Sequence, residues 1–317
     1  MALRVIFIGT GDIAIPAFRS LADNPETELI ALITGEDKPV GRKQVLTPPA
    51  IKTAAGELDI PVHQPAKIRH FATEISGMSP DVIAVMAYGQ ILRKAVLEAP
   101  RLACLNLHAS LLPLHRGASP IQAAVRSGAP ASGITVMYMD EGLDTGDILL
   151  SEELVLAGDE TGGTLHDRLA RTAHSALTKA LGLLASGTAP RTPQDDSSAT
   201  HSGKLTRADG VLDWSLPAVE LERLIRAYEP WPGTSATLHQ DGHPPLRCKI
   251  FPPASVSRHR GEPGAVIDTG NGITVAAGDR SLTLTQIQPE GRRRMGVTDF
   301  LKGHPLGCGA HFKDRPE

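Results

Sequence analysis

The stretch LNLHASLLPLHRGASPIQ, residues 105–122, sets Asn106 and His108 into an otherwise apolar run. Residues two apart on a strand share a face, so the amide and the imidazole project together while Leu105 and Leu107 turn to the core. A side-chain amide can donate to an oxyanion, and an imidazole can take or give a proton near neutral pH. The following SLLPLHRG resists helix, because Pro113 blocks it and Gly117 permits an unusual turn. A lone strand histidine is usually a satisfied core residue. Beside an asparagine and a rigid loop, it suits a small-molecule pocket better.

Carboxylates gather next in MDEGLDTGDIL, residues 139–149, which holds Asp140, Glu141, Asp144 and Asp147 with Gly142 and Gly146. The spacing and the closing Glu of a calcium-binding EF-hand are absent. Two readings remain: a solvated acidic turn, or a carboxylate that orients and charges a histidine. Basic residues collect in KPVGRKQVLTPPAIK (38–52), read as a loop with Lys38, Arg42, Lys43 and Lys52, and in EGRRRMGVTDFLKG (290–303). Each is either solvated surface or a contact for phosphates. GTGDIA (9–14) matches GxGxxA, but Gly35 precedes the only nearby acids, Glu36 and Asp37. A tight strand-to-helix turn explains it better than a dinucleotide site. Cys104 reads as a small buried side chain.

The elements that must position these groups alternate. RVIFIG (4–9), LIALIT (29–34), DVIAVMAY (81–88) and CLNLHAS (104–110) are β-branched apolar runs. Between the first two, Ile15, Phe18 and Leu21 recur with helical period. The order predicts an α/β fold with a doubly wound, mostly parallel, Rossmann-like sheet over residues 1–189. GITVMYMD (133–140) adds a strand, and residues 162–187 a long amphipathic helix. Residues 190–208, rich in Pro, Ser, Thr and Asp without periodicity, read as a linker. From 209 to 317, one helix and several Gly- and Asp-punctuated strands predict a small β-barrel.

With 317 residues the chain can bury a core in each of two domains. Aromatic content of 3% disfavours a protein that binds single strands by base stacking. A net charge of −3 means that any nucleic-acid contact must use local clusters. Cys104, Cys248 and Cys308 are too scattered for a disulfide framework or zinc site, which points to a reducing compartment. The amino terminus has too short an apolar run for a signal peptide, and no stretch reaches membrane-span length. A cytoplasmic protein is expected.

Asn106-Leu107-His108, Ser110-Leu111-Leu112-Pro113 with Arg116-Gly117, and Asp140 with Leu143-Asp144-Thr145-Gly146-Asp147 resemble the formyltransferases that use 10-formyltetrahydrofolate. GTGDIAIP, KPVGR, VMAYGQIL (85–92), LDWSLPAVELERLIRAYEPWPG (212–233) and GRRRM followed by DFLKG extend the likeness over nearly the whole chain. They look like the branch of that family that formylates methionyl initiator tRNA for translation initiation.

The resemblance implies a formyltransferase fold followed by an OB-like barrel that binds tRNA. It implies catalytic roles for Asn106, His108 and Asp144: donor to the oxyanion, carrier of the amine's proton, and orienting carboxylate. Met86, Ala87, Tyr88, Gly89, Gln90, Ile91 and Leu92, largely through backbone, would bind the folate with Ser110, Leu111, Leu112, Pro113, Asp140 and Gly142. Lys38, Arg42, Lys43, Arg292, Arg293 and Arg294 would meet tRNA. No metal or covalent intermediate is needed, and a monomer without membrane contact is expected. The alternatives are a folate-dependent formyltransferase acting on an amino sugar and a 10-formyltetrahydrofolate hydrolase.

Overall fold

Branched and aromatic residues fill the first strand, β1 (Leu3–Gly9), and all but Arg4 are buried. The computed structural model describes residues 2–41, 43–307 and 309–313, so Arg42 and Cys308 lie outside the described residues. α1 (Ile15–Asp23) carries a proline in its first turn, where the missing N–H costs nothing. The chain returns as β2 (Thr27–Ile33), parallel to β1. Part of the expected 38–52 loop is instead an exposed antiparallel hairpin, β3 (Lys38–Val40) with β4 (Val45–Thr47), leading into α2 (Ala50–Glu57). Arms of three residues are too short to display a strand period.

Alternation continues through β5 (Val62–His63), α3 (Ala72–Gly77), β6 (Val82–Met86), α4 (Lys94–Leu97) and β7 (Ala103–His108). β8 (Arg116–Gly117) and α5 (Pro120–Ser127) precede β9 (Ala131–Tyr138) and β10 (Ile148–Val155). The main sheet has the order β10-β9-β7-β6-β1-β2-β5. The five strands from β7 to β5 are parallel, while β9 runs antiparallel to both β7 and β10. Strand β10 was not expected. It is an edge strand with only Leu149 buried, so it lacks the continuous apolar run that marks the inner strands.

Both faces of the sheet are covered. Phe7 meets Phe18 of α1 edge-on, with ring centroids 5.6 Å apart. Ile6 and Ile8, pointing the other way, pack with Ile33, Ile83 and Val85 against Ile68, Ile75 and Val96. Each fully buried side chain of this size contributes about 1.5–3 kcal/mol.

The entry to β6 is fastened by Asp81, which accepts the Arg4 backbone N–H (2.9 Å) and the Arg101 Nε–H (2.6 Å). These bonds, the Arg4 one foremost, hold its carboxyl below the ordinary carboxylate range. A depressed folded-state pKa adds stability above the unfolded value and loses it as pH falls through the folded value. Asp81→Asn is therefore expected to lower stability to urea at pH 7. Its deficit against the wild type should shrink as pH drops below about 3.9, the ordinary Asp value.

After β10 come the long helix α6 (Gly162–Ala185) and β11 (His201–Ser202), which pairs in parallel with β8. Then α7 (Ala218–Ala227) precedes β12 (Thr234–His239), β13 (Leu246–Ser257), β14 (Val266–Asp268), β15 (Ile273–Ala276) and β16 (Ser281–Pro289). β17 (Met295–Gly296), α8 (Val297–Gly303) and β18 (His311–Lys313) end the described fold.

The described residues divide into two units. The first comprises those of Met1–Pro120, Ala131–Val155 and His166–Ser202, and the second those of Ile121–Pro130, Leu156–Leu165 and Gly203–Glu317. This departs from a linker over 190–208. Thr192 bridges Ile148 and β11 pairs with β8, so residues 190–202 are built into the first unit. Isolated bridges leave no periodic trace in a sequence. In the second unit, Arg223 of α7 donates to the Ser127 carbonyl (3.2 Å) and Arg226 to that of Glu160 (2.7 Å).

The strands of the second unit form an antiparallel sheet of order β14-β15-β16-β13-β12-β18, with β17 on β16. The Val266 N–H donates to Ala310 O (2.9 Å) and the Phe312 N–H to Gly264 O (2.8 Å). The ends of the sheet thus meet, and the barrel is nearly closed. Trp214, Leu221, Ile250, Phe300 and Phe312 are buried in this unit. No helix among the described residues is long and apolar enough to cross a membrane.

Candidate active site

At the carboxyl ends of the parallel strands, the GTG turn is tied to the segment after β6. The N–H groups of Thr10 and Gly11 both donate to Ala87 O (3.2 Å each). A Cβ on Gly9 would stand 2.8 Å from Met86 O, so this glycine serves close strand packing. Thr10 Oγ1 also accepts the Gly35 N–H at 3.0 Å. Beyond β6, Ala87 and Gly89 take positive φ and stand exposed with Ile91, whereas Tyr88 and Leu92 are buried in the core. Gln90 accepts the Ile68 N–H (3.1 Å), so its side chain braces the turn. Burial pushes the Tyr88 hydroxyl up to about 12.

Asn106 and His108 occupy the last turns of the pleat in β7, on one face. The His108 ring is 6% exposed and lies between two acceptors. Its Nε2 stands 3.0 Å from the His115 carbonyl, which can only accept, so Nε2 carries the proton of that bond. Its Nδ1 stands 3.6 Å from Asp144 Oδ2, farther than a hydrogen bond, a contact that becomes ionic only when the imidazole is protonated. The same Asp144 oxygen accepts the Gly117 N–H at 2.8 Å. Gly117 has φ +111°, and a Cβ there would sit 2.3 Å from Ser202 O, so only glycine suits. No hydrogen bond to the Asn106 side chain occurs among the described residues.

Backbone strain collects here. Six non-glycine residues among those described have positive φ, and Ala87, His115 and Asp144 are three of them. Such conformations persist only where the surroundings hold them. Burial, with the nearby His108, lowers the pKa of His115, which favours its neutral imidazole.

The SLLP loop is pinned by Thr135, which faces His108 in the β7–β9 register. Thr135 Oγ1 donates to Ser110 O (2.7 Å) and accepts the Leu112 N–H (3.0 Å). Ser110 Oγ donates to Leu114 O at 2.5 Å, so the Ser110 side chain is used in shaping the loop. Gly133 leaves room for Leu111, whose Cδ2 would lie 2.6 Å from an added Cβ. Asp140 is exposed and closes its own turn, accepting the Gly142 N–H (2.9 Å) and the Thr145 hydroxyl (2.8 Å).

Residues from the expected linker join this site. Gln194 Nε2 donates to the carbonyls of Asp144 (2.9 Å) and Gly146 (2.8 Å), while its Oε1 accepts from the buried Arg116 guanidinium (2.8 and 3.1 Å). Arg116 also pairs with Asp196 at 2.7 Å. Thr200 Oγ1 accepts the His115 N–H (2.8 Å), and Ser202 Oγ donates to His115 O (3.3 Å). In the sequence, Arg116 stands out only within the turn and motif after Pro113, and Gln194, Asp196, Thr200 and Ser202 do not stand out at all. The available signal was a glutamine and two hydroxyl residues close behind Thr192, without a period to connect them.

The basic residues are distributed differently. Lys38 and Lys43 are exposed at the β3–β4 hairpin, whereas Lys52 is spent on Asp37 and Gln64. In the second unit Arg292 and Arg293 are exposed. Arg294 is exposed as well, and it also binds Glu229 (3.3 Å) and Pro252 O (3.1 Å) and lies over the Phe251 ring at 4.2 Å. Cys104 is buried and its thiol pushed up to about 12 by burial, which leaves it inert as a nucleophile.

Two family models match the chain: Formyl transferase over residues 3–181 and Formyl transferase, C-terminal domain, over residues 204–305. The chain belongs to the formyltransferase family. This formyltransferase is 46% identical over 314 residues to methionyl-tRNA formyltransferase of Akkermansia muciniphila, covering 98% of this chain and 99% of the relative. Proteins of the same name from Pseudomonas putida and Desulfotalea psychrophila are each 44% identical, over 302 and 311 residues. They cover 94% and 97% of this chain, and 95% and 94% of their own. The fold recurs in the sugar 3N-formyl transferase WlaRD, with a TM-score of 0.67 at 15% identity over 92% of this chain and 100% of that one. HypX from Aquifex aeolicus gives 0.62 at 15% identity over 95% of this chain, which spans 47% of that protein's length.

Proposed function

We propose that this formyltransferase moves the formyl group of 10-formyltetrahydrofolate to the amino group of methionine carried by initiator tRNA, in the cytoplasm. One observation carries the chemistry: His108 sits between the Asp144 carboxylate and the His115 carbonyl, on the same strand face as an unengaged Asn106 amide. Near-complete coverage at 43–46% identity by relatives named methionyl-tRNA formyltransferase supports the choice of acceptor.

The amine nitrogen attacks the formyl carbon, a C–N bond forms, and the carbonyl oxygen becomes an oxyanion. Asn106 donates to that oxygen. His108 takes the proton that the attacking amine must lose and returns it to the folate nitrogen as the old C–N bond breaks. Asp144 fixes the ring and stabilises its cationic form. The exposed backbone at Ala87 and Gly89, with the SLLP loop, supports the reading of a folate cradle. Lys38 and Lys43, with Arg292 and Arg293, offer exposed positive charge suited to tRNA phosphates. Arg294, exposed as well, adds its charge to theirs while it also holds the β13 segment.

Incubation with 10-formyltetrahydrofolate and charged initiator tRNA is expected to yield formylmethionine. The same donor with water alone, or with a nucleotide-linked amino sugar, is expected to give no comparable product. Formate release or sugar formylation without formylmethionine would assign the chain to another branch of the family.

A further inference from the structure

We infer that Gln194 is a positioning residue for formyl transfer: it holds the Asp144 turn, and through it the carboxylate that faces His108. The inference rests on the proposed reaction. One side-chain amide serves both sides of the site. Its N–H groups reach the carbonyls of Asp144 and Gly146, and its oxygen takes two N–H groups of Arg116. Asp144 has φ +55°, a conformation that relaxes unless its turn is held from outside.

Arg116 is itself 4% exposed, and its backbone N–H donates to Thr200 O at 2.9 Å. The preceding carbonyl, that of His115, is the other acceptor on His108, and it receives the Ser202 hydroxyl. The segment from Gln194 to Ser202 therefore touches both groups that flank the imidazole. A displacement of catalytic geometry by about 1 Å can cost roughly a hundredfold in rate, and at 3.6 Å the carboxylate already stands beyond hydrogen-bond distance of the imidazole, so any further shift weakens its hold.

Gln194→Glu separates the two halves of the clamp. Its carboxylate still accepts from Arg116 but has no N–H for the carbonyls of Asp144 and Gly146. It is expected to lower kcat by about tenfold to a hundredfold. KM for both substrates should stay within about twofold, because binding groups are untouched. Combined with Asp144→Ala, the same change should cause no further loss, since its effect passes through Asp144. Gln194→Met, neutral and of similar length, supplies a second variant and should also reduce kcat.

Wild-type kcat in both variants would overturn the inference while leaving the reaction assignment intact. So would an undiminished loss on the Asp144→Ala background, or a fall in melting temperature with KM rising in step in both variants. Absence of formyl transfer by the wild type would instead remove the assignment, and this inference with it.

Discussion

Truncating His108 to alanine is expected to lower single-turnover formyl transfer by at least about a hundredfold, the ordinary size of a general acid–base contribution. Binding of the formyl donor should change far less, because the segments assigned to it are backbone turns beyond β6 and the SLLP loop. The ring is buried, so truncation also removes the imidazole donor from the His115 carbonyl, leaving it the Ser202 hydroxyl, and opens a small void. A melting curve must therefore accompany the assay. His108→Gln keeps bulk and a hydrogen-bond donor but cannot carry a proton at neutral pH, and it should be nearly as slow as alanine. Two variants that fold normally and turn over at the wild-type rate would remove His108 from the chemistry.

Asn106 and His108 were legible as a pair because strand geometry converts a two-residue spacing directly into a shared face. Asp144 was legible only as one of four clustered carboxylates, and nothing local separates it from Asp140. The structure does: Asp140 is exposed and folded into its own turn, while Asp144 reaches the Gly117 amide and the imidazole. The family resemblance had singled out the same residue, through a motif rather than through geometry.

What stayed hidden depends on contacts between distant positions. Gln194 meets Arg116 across 78 residues, and composition made its surroundings look like a linker. A linker and a segment bonded only at isolated points share the same lack of periodicity, so composition cannot part them. The units are discontinuous for a similar reason. Residues 121–130 and 156–165 join α7 through arginine bonds to backbone carbonyls, which carry no side-chain signature in their partners. Inner strands announced themselves through burial on both faces, and the edge strand β10, with only Leu149 buried, did not.

Replacing Asn106 separates an electrostatic role from a structural one by the order of its variants. Its side chain makes no hydrogen bond to another described residue, so Asn106→Ala removes no fold contact of that kind. The rate should still fall by roughly 10²–10³, the cost of losing one oxyanion donor. Asn106→Asp preserves size and shape, and a merely space-filling residue would tolerate it better than alanine. If the amide faces the developing oxyanion, the aspartate places negative charge where the transition state gains its own, and the two repel in a poorly solvated site. The expected order of rates is thus wild type, then alanine, then aspartate, with melting temperatures nearly equal. An aspartate variant faster than alanine would show that the position fills space, and the oxyanion donor would have to be sought among the backbone N–H groups of the neighbouring turns.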